Sequence, residues 1–182
     1  MKTFISLIFV LITARVFAFE APHYERFPAT PAIAYEGEIL DFYNRHKPYG
    51  EFSNFAVFPI FVDGEWWHTS EHYFQAMKYE SRELIEWVQA APTPMEAANR
   101  GRHKDFPKRA DWEEIRDEVM RKAVWDKFTR YPTLKTLLLS TRSAHIYEHT
   151  KNDCYWGDCG DRSGQNKLGL LLMEIRETLR SE

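Results

Sequence analysis

Glu71, Gln75 and Lys78 set a carboxylic acid, an amide and an amine four and three residues apart. At 100° per residue these three and Arg82 fall along one stripe of a helix. The neighbouring stripe is apolar, formed by Tyr73, Met77, Leu84 and Val88 and widened by Phe74 and Ile85. A carboxylate held this way can position a water and take its proton. An amine whose pKa is lowered by burial can form a Schiff base with a ring-opened sugar. A second polar and aromatic run lies far downstream, over residues 152–169, with four glycines and three aspartates. There Trp156 offers a stacking plane, Asp153 or Asp158 can stabilise charge on a sugar, and Asn166 can cap the next helix or hold a ligand. Asn54 carries a donor and an acceptor in one plane, suited to the edge of a heterocycle, while Ser53-Asn54 equally suits a turn. The densest basic stretch is Arg100-Gly101-Arg102-His103-Lys104 with Lys108-Arg109. It reads as a solvated surface or as a phosphate clamp, with Arg102 or Arg100 gripping the anion in a bidentate way.

These groups need elements to hold them. Ile39 to Tyr43 reads as a first strand, and Asn44 to Gly50 as a loop. Apolar segments at Pro59–Val62 and Glu65–His68 flank Asp63-Gly64, a hairpin signal. Trp66 and Trp67 then point to opposite faces, so at most one faces a pocket. Thr69 or Ser70 caps a helix expected to run to about Ala90 and to stop before Pro92. Met95 to Arg100 is a short helix. Asp111 with Glu114 forms a capping-box pattern ahead of a helix carrying Trp112, Ile115, Val119, Ala123 and Phe128, read as scaffold without chemistry. Pro132 ends it. Leu134, Leu137 and Leu138 mark another short helix, Ala144 to Glu148 a strand, and Leu168 to Leu179 a final apolar helix.

The chain has 182 residues, 44% hydrophobic and 28% charged, enough for one globular domain with its own core. The net charge of −3 gives no global basic field of the kind that draws nucleic acid. Aromatics reach 15%, which serves a core and also suits stacking on a flat ligand. Residues 1–18 read as a signal-peptide-like segment: Lys2, the apolar run Phe4–Ile12, and small residues near Val16-Phe17-Ala18. On this reading the protein is exported, and otherwise cytoplasmic. Residues 19–38, with Pro22, Pro28 and Pro31, read as a linker or loosely packed arm, and 39–182 as the domain. Cys154 and Cys159 are the only cysteines; a small-loop disulfide fits export, and a metal site is not expected from one such pair.

With these segments assembled, the chain resembles the YbiA-like, or NADAR, domain family. The resemblance rests on Tyr49-Gly50-Glu51-Phe52-Ser53-Asn54-Phe55, Thr69-Ser70-Glu71-His72-Tyr73-Phe74-Gln75-Ala76, Val119-Met120-Arg121-Lys122-Ala123, Glu148-His149-Thr150, Asn152-Asp153 and Tyr155-Trp156-Gly157-Asp158. Asn166, Leu168-Gly169 and Leu171-Leu172-Met173-Glu174 also fit, so that the match covers about residues 39–180. It implies a compact, helix-rich α+β domain with a small sheet and hairpin. It implies N-glycosidase activity on phosphoribosylamino-pyrimidine intermediates of riboflavin biosynthesis, with no cofactor, or removal of ADP-ribose from guanine. It implies Glu71 as the catalytic acid residue and places Lys78, Asn54, Asp153, Trp156, Asp158 and Asn166 on family site positions. With Gln75 and Arg102 from the residue reading, these are the candidate site. Cys159 stands where the family usually has glycine. The alternatives are a module that binds ADP-ribose or a related nucleotide without cleaving it, and an exported effector acting on foreign nucleotides. A nucleic-acid partner is expected only if ADP-ribosylated guanine is the substrate.

Overall fold

The computed structural model describes residues 30–181, so the signal-like segment and most of the linker lie outside the described residues. The fold is α+β, with six α-helices among the described residues around two small two-stranded sheets. β1 (Ile39–Phe42) pairs in parallel with β4 (His145–Glu148), matching Leu40 to Ile146 and Phe42 to Glu148. Leu40, Phe42 and Ile146 are buried there, and both strands end at the same edge of the core. β2 (Ile60–Val62) and β3 (Glu65–Trp67) form the expected hairpin. Asp63 and Gly64 turn it with φ of 52° and 82°, the left-handed values a two-residue turn of this kind demands. Trp67 is core, at 2% exposure, whereas Trp66 stays 39% exposed against Phe61.

The helix expected from Thr69 to Ala90 is two. α1 (Ser70–Ala76) is capped by Thr69, whose hydroxyl accepts from His72 N, and α2 (Arg82–Gln89) follows after a break. The break holds no glycine or proline, so the apolar period runs through it unmarked. Its cause is tertiary. Lys78 N and Tyr79 N donate to Gln75 O and Ala76 O, three residues back, which tightens and ends the turn. Tyr79 then drops into the core with its hydroxyl on Arg100 O, 2.7 Å away. Arg82, moved off the stripe, pairs at the surface with Glu65.

α3 (Pro94–Arg100) and the long α4 (Trp112–Arg130) pack on α1. The capping box at Asp111 does not form. Arg109 takes the Asp111 carboxylate at 2.6 and 3.0 Å, leaving backbone bonds from Glu114 N and Ile115 N to Asp111 O. α5 (Pro132–Ser140) starts at its proline, and α6 (Lys167–Ser181) closes the core against β4 and α5. The segment 30–38, mostly exposed, is anchored at Thr30 and Tyr35. Thr30 bonds Glu51 and Tyr49 N, Tyr35 N bonds Ser140 O, and the Tyr35 ring meets Tyr49 edge-on. No helix among the described residues is long and apolar enough to cross a membrane.

Candidate active site

α1 opens onto a cavity of about 590 Å³. Its floor is the first turn of that helix. Glu71 is buried there, and Gln75 Nε2 donates to its Oε1 at 2.7 Å. Gln75 is itself boxed in by Gly101, where even a Cβ would collide with the Gln75 side chain. Burial is the largest influence on Glu71 and pushes its carboxyl up; Gln75, Lys78 and Arg102 oppose that shift, and Asp153 adds to it. Lys78 lies just past the helix end, with its ammonium 5.4 and 5.8 Å from the ring centres of Phe74 and Trp112. Burial lowers it to about 8, with Glu71 pulling the other way.

The loop around Asn54 forms one wall. Asn54 O accepts from Glu71 N at 3.2 Å, which ties the loop to the first turn of α1. Behind it, the buried Lys127 donates to Ser53 O at 2.8 Å, and burial lowers this lysine to about 7. The Asn54 amide nitrogen contacts Met120 Sδ at 3.3 Å. Its Oδ1 and Gln75 Oε1 are buried acceptors with no partner among the described residues, and both side chains line the cavity. Buried acceptors without a partner are uncommon in folded proteins.

The opposite wall is the loop 152–166. Asp153 Oδ1 accepts from Tyr155 N and Trp156 N at 2.8 and 2.7 Å, which folds the loop tip and leaves the second carboxylate oxygen without a partner among the described residues. The Trp156 ring stands edge-on to Phe74 and Tyr155, at 5.3 and 5.1 Å. Tyr155 is fixed by its hydroxyl on Asp117 and by Arg116 stacked 3.6 Å above the ring. Cys154 and Cys159 are joined by a disulfide that closes this loop. Cys159 sits at φ 62°, a left-handed conformation that glycine adopts most readily.

Glu71, Gln75, Lys78, Asn54, Asp153, Trp156 and Arg102 therefore come together around one cavity. Asp158 and Asn166 do not line it. Asp158 is fully buried behind the loop, taking bonds from His149 Nδ1, Thr150 N and Gly160 N at 2.8, 3.2 and 2.8 Å. Asn166, at φ 50°, accepts from Glu148 N at 3.0 Å and donates to Ile146 O at 2.8 Å, pinning β4 to the start of α6. Both side chains serve backbone groups left over by regular structure, Asp158 in the loop and Asn166 along β4. Arg100 is committed to Glu96 and Trp87 O, so of the two candidate clamp residues only Arg102 reaches the cavity.

The residue reading missed two features. α4, taken as plain scaffold, supplies Trp112, Glu113, Arg116 and Met120 to the cavity. Glu148, the last residue of β4, lines it too. Its burial, followed by the charges of Asp153, Glu71 and Asp158, raises its carboxyl to about 8. The available signal was positional: an acid at the carboxyl end of a strand, ahead of a polar loop.

The NADAR domain family model matches residues 41–180. N-glycosidase YbiA of Escherichia coli (strain K12) is 49% identical over 144 residues, covering 79% of this chain and 90% of that protein. The chloroplastic riboflavin biosynthesis protein PYRR of Zea mays is 36% identical over 175 residues, covering 87% of this chain and 28% of that protein. Among solved structures, the NMR structure of the E. coli protein YbiA superposes with a TM-score of 0.74 at 46% identity, covering 82% of this chain and 93% of that one.

Proposed function

The chain belongs to the NADAR domain family, and we propose that it is a hydrolase that cleaves the C–N glycosidic bond of phosphoribosylamino-pyrimidine intermediates of riboflavin biosynthesis. The products are ribose 5-phosphate and an aminopyrimidine. The names of the E. coli and Zea mays relatives support the bond type and the pathway. The observation that carries the reading is how the cavity sorts its chemistry. Carboxylates stand on two facing walls, an indole lies beside one of them, and Arg102, Lys108 and Arg116 supply cations.

Such a cavity matches the parts of a phosphorylated riboside. Cleavage builds positive charge on the ribose ring, and Asp153, with one oxygen free, stabilises it. Glu71, held by Gln75 at the anomeric carbon, orients water and takes its proton. Trp156 stacks on the pyrimidine, and Arg102 grips the phosphate. The free oxygens of Asn54 and Gln75 receive hydroxyl or amino protons of the substrate. A second route has one observation in its favour. Lys78, lowered to about 8 by burial, holds enough neutral amine to form an imine with ring-opened ribose.

Purified protein incubated with the phosphoribosylamino-pyrimidines, beside Glu71→Gln, tests the reading. Release of ribose 5-phosphate that disappears in the variant supports it. Borohydride trapping of a sugar on Lys78 would move the chemistry to the imine route. No release by folded wild type would direct the test to ADP-ribosylated guanine. Thermal stabilisation by ADP-ribose without any product would identify a binding module instead.

A further inference from the structure

We propose that Glu148 is the general acid of this site, handing a proton to the nitrogen that leaves the sugar while Glu71 activates the water. The assignment rests on the hydrolase reading above and goes beyond the residues that reading uses.

The leaving atom of a ribosylamino-pyrimidine is an exocyclic nitrogen. Expelled as an anion it would be a strong base, so it needs a proton as the C–N bond breaks. Water oxygen bonds to the anomeric carbon, and one water proton passes to the Glu71 carboxylate. The C–N electron pair goes to nitrogen, which takes the proton of the Glu148 carboxyl. Solvent then returns a proton from Glu71 to Glu148.

Three observations select Glu148 for the acid. First, its backbone is fixed from both sides: Glu148 N donates to Asn166 Oδ1 at 3.0 Å, and its carbonyl accepts from Asp158 N at 3.0 Å. It also sits opposite Phe42 in the parallel pair, so the carboxyl projects into the cavity from a rigid strand end. Second, that carboxyl has no hydrogen bond or ion pair among the described residues, whereas Asp158 is bound through both oxygens and Asp153 through one. Third, the groups that act on it most strongly are carboxylates: Asp153 and Asp158 from the loop and Glu71 from α1. The cavity's cations Lys78 and Arg102 act instead on Glu71. On the elements packed against its strand, Asp41 of β1 pairs with Arg162 and Lys167 of α6 with Asp117. Across the cavity, Arg116 pairs with Glu113. Burial raises both carboxyls and Asp153 acts on both, but only Glu71 has cations, Lys78 and Arg102, that offset part of the rise; this asymmetry divides two carboxyls into base and acid. Its rise to about 8 keeps the proton in place at neutral pH.

Wild type, Glu148→Gln and Glu71→Gln are compared on two substrates that share ribose 5-phosphate. One is the phosphoribosylamino-pyrimidine. The other is the 4-nitrophenyl β-riboside 5-phosphate, whose nitrophenolate leaves as a stable anion. Glu148→Gln is expected to lower kcat on the first by roughly 10²–10³-fold and on the second by less than about threefold. Glu71→Gln lowers both. On the pyrimidine substrate alone, wild-type kcat falls as pH rises through about 8, and this limb is absent from the residual activity of Glu148→Gln. Equal losses on the two substrates, an unchanged alkaline limb, or full activity of Glu148→Gln on the pyrimidine would overturn the assignment and leave the hydrolase reading standing. Wild type inactive on both substrates overturns the two together. Folding is checked by melting. A carboxyl raised by the fold binds its proton more tightly folded than unfolded, so stability falls as pH climbs from the ordinary glutamate range toward 8. Glu148→Gln therefore melts no lower than wild type at pH 8.

Discussion

α1 and the 152–166 loop both carry acids to the cavity, yet they use them in opposite ways. In α1 the backbone is satisfied by the helix itself and by Thr69 at its cap, so Glu71 and Gln75 keep their functional atoms for each other and for the cavity. The loop has no ladder of its own. Its polar side chains take the place of one: both oxygens of Asp158, one of Asp153 and both ends of the Asn166 amide are bound to the protein, mostly to backbone. A polar residue on regular structure is available for chemistry. The same residue in an irregular loop is first a structural part.

The widest separation between the two regions comes from exchanging a carboxyl for an amide in each. Glu71→Gln should lower kcat/KM for ribose 5-phosphate release by about 10³-fold or more, roughly 4 kcal/mol of transition-state stabilisation, with the fold intact. Asp158→Asn should do the reverse. His149, Thr150 N, Gly160 N and Arg162 all address its carboxylate, and burial, the largest influence, is outweighed by these bonds so that the group stays below its usual range. Replacing one oxygen by a donor sets like against like at a fully buried position and should remove on the order of 2–3 kcal/mol of stability. Folded molecules at low temperature should retain activity within about tenfold. If Asp158→Asn abolishes turnover without lowering Tm, the division between the two regions is wrong.

Much of this was legible in the sequence. The β2–β3 hairpin followed from Asp63-Gly64, and the short β1 and β4 from their apolar runs, because local chemistry decided those elements. Glu71, Gln75, Lys78 and Asn54 were legible as candidates for the same reason. The division of the long helix was not, since Tyr79 reaches the core only through contacts with residues some twenty positions away. Nor was the cavity face of α4: Trp112 and Met120 sit on its apolar side, and only the fold shows that this side turns toward a void near its start. Asp158, Asn166 and Glu148 form one case. Their types are equally suited to a site, and which of them is left unbonded depends on how the loop satisfies its backbone.

The disulfide sharpens the comparison at smaller scale, because only the loop needs such a closure. Replacing both Cys154 and Cys159 by serine should lower stability by about 2 kcal/mol on the chain-entropy account of so short a loop. KM should rise more than kcat falls, because Asp153 and Trp156 lie on the loop and Glu71 does not. Cys159 N also bonds Asp153 O at 3.3 Å, so part of the loop geometry survives. Steady-state kinetics under reducing and oxidising conditions, with the double serine variant as the insensitive control, measure it. A kcat that falls with KM unchanged would mean that the loop supplies chemistry and little binding.

Arg82→Ala should give the smallest effect, and it tests where the helical stripe ends. On an unbroken helix Arg82 would stand beside Lys78 and Glu71 and its loss would change turnover. In the structure it lies in the first turn of α2, mostly exposed, bridging Glu65 and Glu86 at the surface. Pairs of this kind contribute about 0–1 kcal/mol. Activity should therefore be unchanged, and stability should fall by less than about 1 kcal/mol, with the difference shrinking in high salt. A loss of activity from Arg82→Ala would place the residue in the cavity. It would also mean that the stripe running from Glu71 through Lys78 continues past the break at residues 77–81.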